Sequence, residues 1–270
     1  MLPSVRAFFA GILDYAGLFP PAQLPLDEAI RNYARYRTEP ESWLLGRFVC
    51  PANLLPEVLA NGGPCSLAIV VSGACDNLGV LQSLQRYSAT LETRGAPRQP
   101  WSELPTFWEF EPGAGMAAGE FVSLLAKTHR RDGFKLRCGG ANASVVPSVE
   151  QVANVVATCR DAGVPLKFTA GLHHPLRHYD NGLQTKLHGF LNVFAAGVLG
   201  HARKLNEEQL CEIVADEDAG HFRFADGGFA WKDHCATVDE IAAARQHGII
   251  SFGSCSFEEP RDDLRRMGLL

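Results

Sequence analysis

Several common chemistries leave no mark on this chain. There is no GxGxxG, no GxxxxGK[ST] and no GxSxG, so dinucleotide-dehydrogenase, P-loop and α/β-hydrolase readings lack support. The eight cysteines, at 50, 65, 75, 138, 159, 211, 235 and 255, form no CxxC pair. They are read as reduced, buried thiols of a cytoplasmic protein rather than a disulfide or zinc framework. No HxH or HExxH spacing occurs. No segment approaches the ~20 apolar residues of a transmembrane helix, and no membrane partner is expected. Runs of like charge are short, and the net charge of −5 argues against a nucleic-acid footprint.

What the chain does have suits one α/β barrel: 270 residues, 46% hydrophobic and 20% charged. Short apolar runs alternate with helix-period segments. Candidate strands are AFFAGILD (7–14), WLLGRFVC (43–50), SLAIVVSG (66–73), TFWEFE (106–111), FKLRC (134–138), PLKFTA (165–170), HFRFAD (221–226) and IISFGS (249–254). Near-continuous apolar runs indicate strands covered on both faces, as in a parallel sheet. The segment at 7–14 resembles a short signal core, but Asp14 interrupts it, and a first buried strand is the better reading.

Helix ends are also legible. Ser148 with Gln151 and Thr237 with Glu240 have capping-box spacing, and Gly163 and Gly248 close the respective helices. Pro260 and the acids around it suit the first turn of a last helix. Two segments break the rhythm. Residues 91–104 read as a Pro- and charge-rich surface loop. Residues 171–220 exceed one βα connection and hold helix-like stretches at 188–200 and 207–215. The expectation is a single (β/α)8 barrel domain over 1–270, with a helical insertion between its sixth and seventh strands.

Strand alternation sorts the charged residues by face. Lys135 and Arg137 share a face, as do Lys167 and Thr169, and Glu109 and Glu111; Arg47 stands alone among apolar neighbours. All are expected at or over the barrel mouth, where barrel enzymes collect their catalytic groups. Clustered Lys135, Arg137 and Lys167 would depress one another's pKa by repulsion and desolvation. A neutral lysine amine can attack a carbonyl to give a Schiff base, while the guanidinium holds a carboxylate or phosphate. The alternative is a buried salt bridge from one or both lysines to Glu109 or Glu111.

The pattern KLRCGG, a capped helix, KFTAG and later FGSCS resembles the class I deoxyribose-phosphate aldolases, (β/α)8 enzymes with two lysines on neighbouring strands and a phosphate-binding turn after the last strand. The resemblance implies that Lys135 is the Schiff-base lysine and Lys167 the second lysine that tunes it. It also implies that Gly253, Ser254 and Ser256 form the phosphate turn. The aspartate it implies on an earlier strand is absent as such, and Glu109 is the nearest candidate. Arg137 stands where that family has a small polar residue.

Beyond the Lys167 strand lie His173 and His174, and His188 and Asn192 are spaced i, i+4. His173 suits a proton shuttle. With Glu109, the two histidines could alternatively hold a divalent metal. Asp14 is read as a loop cap in preference to a general acid or base, and Cys255 as packing. The leading expectation is a cofactor-independent lyase or aldolase for a small anionic carbonyl compound. In it Lys135 or Lys167 forms the imine, Glu109 or His173 moves the proton, and Arg137, Thr169, His174, Arg47 and the 253–256 turn bind substrate. The alternatives are a metal-dependent lyase or isomerase using His173, His174 and Glu109, and a barrel that binds a small anion without catalysis. Homo-oligomerisation is left open.

Overall fold

The computed structural model describes residues 1–72, 84, 87–97, 103–110, 116–128 and 132–270. Eight parallel strands close into a barrel. In chain order they are β1 (Leu13–Tyr15), β2 (Leu45–Pro51), β3 (Ser66–Val71), β4 (Ser88–Arg94), β5 (Thr106–Phe110), β6 (Gly133–Arg137), β7 (Leu166–Thr169) and, after a long excursion, the closing strand at Ile249–Ser254. That last strand pairs with both β7 and β1. Among the described residues nine α-helices accompany them: α1 (Pro3–Phe9), α2 (Leu26–Tyr36), α3 (Leu55–Ala60), α4 (Ala118–Ala126), α5 (Val149–Ala162), α6 (Phe190–Arg203), α7 (Glu207–Ala215), α8 (Val238–His247) and α9 (Glu258–Arg266).

The outward faces of the strands build the apolar core. Phe168 and Phe252 pack on Phe194 and Phe190 of α6, with ring centroids 5.6 and 5.1 Å apart. Phe110 and Phe134 pack on Phe121 of α4. Capping boxes open α5 and α8 as their sequences predict, and a third, Asn206 with Gln209, opens α7. Each such cap stabilises its helix by ~1 kcal/mol.

Three strand expectations are corrected. Residues 7–14 are mostly helix: Pro3 starts α1, whose Phe8 and Phe9 are fully buried, and only Leu13 and Asp14 reach β1. A short apolar run fits a buried helix as well as a strand. Second, residues 91–94 are not loop but the second half of β4, between β3 and β5. Its alternation is genuine, with buried Ala89, Leu91 and Thr93 on one face and Thr90, Glu92 and Arg94 on the other. Its inward face is polar because the barrel interior is polar, so the apolar-run criterion passes over it. Third, HFRFAD lies outside the barrel. Phe222–Ala225 (β10) pairs antiparallel with Gly228–Trp231 (β11) across a two-residue Asp226-Gly227 connection, and β11 pairs with His234–Thr237 (β12).

The excursion therefore separates the seventh and eighth barrel strands, the shift in ordinal coming from β4. It holds α6, α7, the three-stranded sheet and α8. It also holds a two-stranded hairpin of His178–Asp180 (β8) and Thr185–Leu187 (β9), so that Ile249–Ser254 is β13. The sheet packs against the N-terminal helix, where Phe8 meets Phe224 and Phe229. No described helix is long and apolar enough to cross a membrane. Of the cysteines, Cys50, Cys138 and Cys159 are buried, Cys65 and Cys235 exposed, and Cys211 and Cys255 half-buried; Cys75 lies outside the described residues. The expectation of buried thiols thus holds for three.

One close approach governs the interior. A Cβ on Gly46 would sit 2.3 Å from Asp14 Oδ1, so only glycine admits that buried carboxylate beside β2. Gly46→Ala is expected to destabilise the fold by ~1–3 kcal/mol in urea denaturation. Gly227→Ala, where a Cβ meets nothing within 4 Å, is expected to change little.

Candidate active site

Inside an (β/α)8 barrel, layers of branched apolar side chains are usual; here the inward positions carry charge. Lys135 and Lys167 are directly opposed in register, and Glu109 is opposite Lys135 on the other side. Lys135 Nζ lies 2.8 Å from Glu92 Oε2 and 2.9 Å from Glu109 Oε2. Lys167 Nζ lies 2.7 Å from Asp14 Oδ2 and also pairs with Glu92 Oε1. Glu109 Oε1 in turn accepts from Arg137 Nε at 2.9 Å and Nη2 at 2.7 Å, and Arg94 Nε approaches it to 3.5 Å. Asp14 is fully buried and accepts from the Arg47 backbone N–H at 2.6 Å and from Ser251 Oγ at 2.7 Å.

The result is one chain of alternating sign: Asp14, Lys167, Glu92, Lys135, Glu109, Arg137. Three carboxylates balance three cations, so the interior is close to neutral despite its charge density. Burial alone would push Lys135 down and Glu92 and Glu109 up, but the opposite charges outweigh it. Lys135 is held above the usual lysine range by Glu92 and Glu109. Glu92 is drawn down to about 2 by Lys135 and Lys167, and Glu109 is drawn down by Lys135 and Arg137. The expected mutual depression of the lysines is therefore corrected for Lys135: the two carboxylates beside its ammonium prevail over the neighbouring cations. The paired alternative weighed from the sequence is what forms, with Glu109 as one partner; Glu111 lies outside the described residues.

Asp14 is likewise corrected, from a loop cap to a buried partner of Lys167. Glu92 and Ser251 were not foreseen. A signal was present for Glu92, since Glu92-x-Arg94 repeats the spacing and phase of Lys135-x-Arg137.

Above the lysines, Arg137, Thr169 and Gly253 are consecutive register partners across β6, β7 and β13. All three are half-buried, and Thr169 Oγ1 is 3.5 Å from where a Gly253 Cβ would stand. They form a small polar row at the C-terminal strand ends, with Arg137 and the largely exposed Arg94 reaching over it. The loops leaving β6 and β7 touch backbone to backbone: a Cβ on Gly139 would lie 2.7 Å from the Gly171 Cα, and Gly171 has φ +74°. This contact accounts for Gly139 of KLRCGG and Gly171 of KFTAG and fixes that side of the rim.

Other predicted site residues lie elsewhere or are otherwise engaged. Ser254 Oγ accepts from the Ser256 N–H, and Ser256 Oγ accepts from the Glu259 N–H. The turn thus satisfies itself and caps α9, whose first turn already carries Glu258 and Glu259. His173 Nδ1 bonds Glu259 at 3.1 Å and His174 Nδ1 bonds Asp263 at 2.6 Å, docking the β7 loop on α9. The structure does not bring them to Glu109, and no group of three metal-ligating side chains occurs among the described residues. His188 is buried on the Pro147 carbonyl and Arg177, and burial lowers it to about 4. Asn192 accepts from the Arg177 backbone and donates to Ile213 and Asp216. Both tie the excursion together. Arg47 leaves the mouth and lines a cleft with Gly11, Trp43 and Ser66, at the opposite strand ends. Burial raises the Cys255 thiol, which disfavours a thiolate.

Glu92→Gln keeps the shape but leaves two ammonium groups short of a counter-charge, and is expected to destabilise the protein by ~3–5 kcal/mol. The pH dependence follows the same residue. With its native pKa near 2 against an ordinary 4.5, its contribution is complete above about pH 4.5 and is lost as pH falls through 2. Denaturation midpoints measured at pH 5, 4 and 3 are expected to fall steadily, with a shallower dependence in Glu92→Gln. No protein-family model matches the chain, and no curated protein matches it in sequence.

Proposed function

We propose that this barrel is a lyase of the aldolase kind, acting on a small anionic carbonyl compound through an imine on Lys135. The observation that carries the reading is the juxtaposition of Lys135, flanked by two carboxylates, with the half-buried Arg137 one inward step nearer the mouth. Lys135 is the more accessible lysine, its side chain 7% exposed against 1% for Lys167. Arg137 with Thr169 would hold the substrate's carboxylate or phosphate, and Gly253 leaves room beside them.

Lys135 rests as an ammonium and must lose a proton before it attacks. Glu109 is 2.9 Å away and shares its charge with Arg137. A substrate anion that engages Arg137 weakens that sharing and raises the basicity of Glu109, which then accepts the Lys135 proton. The amine adds to the carbonyl carbon, the carbonyl oxygen leaves as water after two protonations, and the iminium serves as electron sink for carbon–carbon cleavage. Lys167, fixed by Asp14 and Glu92, sets the field beneath the imine. A second reading draws on the same pairing: with two carboxylates on each lysine, the pair serves as counter-charges in a barrel that binds an anion without turnover.

Borohydride reduction in the presence of small oxo-acids and sugar phosphates separates the two. The expected result is a reduced adduct on Lys135, lost in Lys135→Met. Its yield should rise about tenfold per pH unit between 7 and 9, as the small neutral fraction of a high-pKa amine grows. Anion-dependent stabilisation that needs Arg137, with no adduct at any pH, supports the second reading.

A further inference from the structure

The opposite face of the barrel holds a feature that the lyase reading leaves unused. At the N-terminal strand ends a cavity of about 500 Å³ is lined by Arg6, Arg37, Arg47, Trp43, Ser42 and Ser66, among others, and by no carboxylate. Among the described residues Arg6, Arg37 and Arg47 form no ion pair. Most other arginines among the described residues pair with an acid, as Arg31, Arg35, Arg203, Arg261, Arg265 and Arg266 do. Asp14 accepts the Arg47 backbone N–H with one oxygen, and its other oxygen is committed to Lys167 and Ser251. Arg6 lies over the Trp43 ring at 4.8 Å, so its guanidinium is held by a neutral neighbour, and the Tyr33 hydroxyl near Arg37 donates to the Gly46 carbonyl.

A second observation is independent of charge. Four buried side-chain polar atoms among the described residues have no hydrogen-bond partner, and two of them, Trp43 Nε1 and Arg47 Nε, belong to side chains lining this cavity. Both are donors only. A buried donor left unmade is unfavourable; both N–H groups are closed off from the open cavity, so an anion there gains them by a small turn of either side chain.

We propose that this cavity is a binding site for a small dianionic oxyanion, a phosphate-type or dicarboxylate ligand, separate from the mouth. Arg47 and Trp43 line its floor and turn their N–H donors to the ligand. Arg6 and Arg37, both exposed at their outer ends, close over the ligand from α1 and the end of α2. Arginine suits this role because its fork meets two oxygens of one anion.

The test is thermal unfolding and Trp fluorescence of the intact protein titrated with inorganic phosphate, succinate or chloride at constant ionic strength. Phosphate or succinate, but not chloride, is expected to raise Tm by about 3 °C at tenfold excess over Kd. Either should also change the fluorescence, through Trp43; the anion that acts at lower concentration identifies the source. Arg6→Gln and Arg37→Gln are expected to weaken binding at least tenfold, and Arg137→Gln at the mouth to leave it unchanged. Absence of any anion-specific response would overturn the proposal. So would a response abolished by Arg137→Gln and kept by Arg37→Gln, which would assign the anion to the mouth.

Discussion

Two lysines side by side inside a closed barrel have little water to screen them, and the interior is organised around that constraint. Lys135 and Lys167 are register partners, so neither can move away from the other without breaking the β6–β7 ladder. Each must be neutralised where it stands. Glu92 reaches both, Asp14 takes the far side of Lys167, and Glu109 takes the far side of Lys135 and passes the surplus to Arg137. Even Gly46 follows from this, since a side chain there would collide with Asp14. A buried ion network is weak support for stability in itself, because desolvation offsets much of the attraction. Its consequence here is positional: it fixes charged groups beneath an open mouth with little freedom to rearrange.

The barrel was legible in the sequence because most of its strands bury apolar outward faces under helices, and because Ser148, Thr237 and Gly163 punctuate the helices between them. Two compensating misreadings show the limit of that signal. SATLETR hides a barrel strand because its inward face is polar, and HFRFAD imitates one because a hairpin strand packed on α1 is equally aromatic. Lys135, Arg137, Glu109 and Lys167 were placed on inward faces by alternation alone, and Arg137, Thr169 and Gly253 do fall in one row. The partners of the lysines were the harder part. Glu92 sits on the unrecognised strand, and Asp14 looks like a turn residue until the barrel closes β1 against β2 and β13. His173 and His174 carried a chemical suggestion that only three-dimensional distance could correct, since their carboxylate partners come from α9.

The two ends of the barrel differ in the same currency of charge. At the C-terminal end each cation above or below the mouth has a carboxylate within reach, and an incoming anion must compete for Arg137. At the N-terminal end Arg6, Arg37 and Arg47 form no ion pair among the described residues. Asp14 lies between the two, its one oxygen facing the Arg47 backbone and its other facing Lys167.

The protonation state of Lys135 tests this picture most directly. With ¹⁵N-labelled lysine, the Lys135 Nζ resonance, assigned through Lys135→Met, can be followed from pH 6 to 11. An ammonium signal that persists to pH 10.5 and beyond, with amine protons protected from solvent exchange, is the predicted result. A neutral-amine signal near pH 7 would contradict the alternating charge chain on which the interior is built.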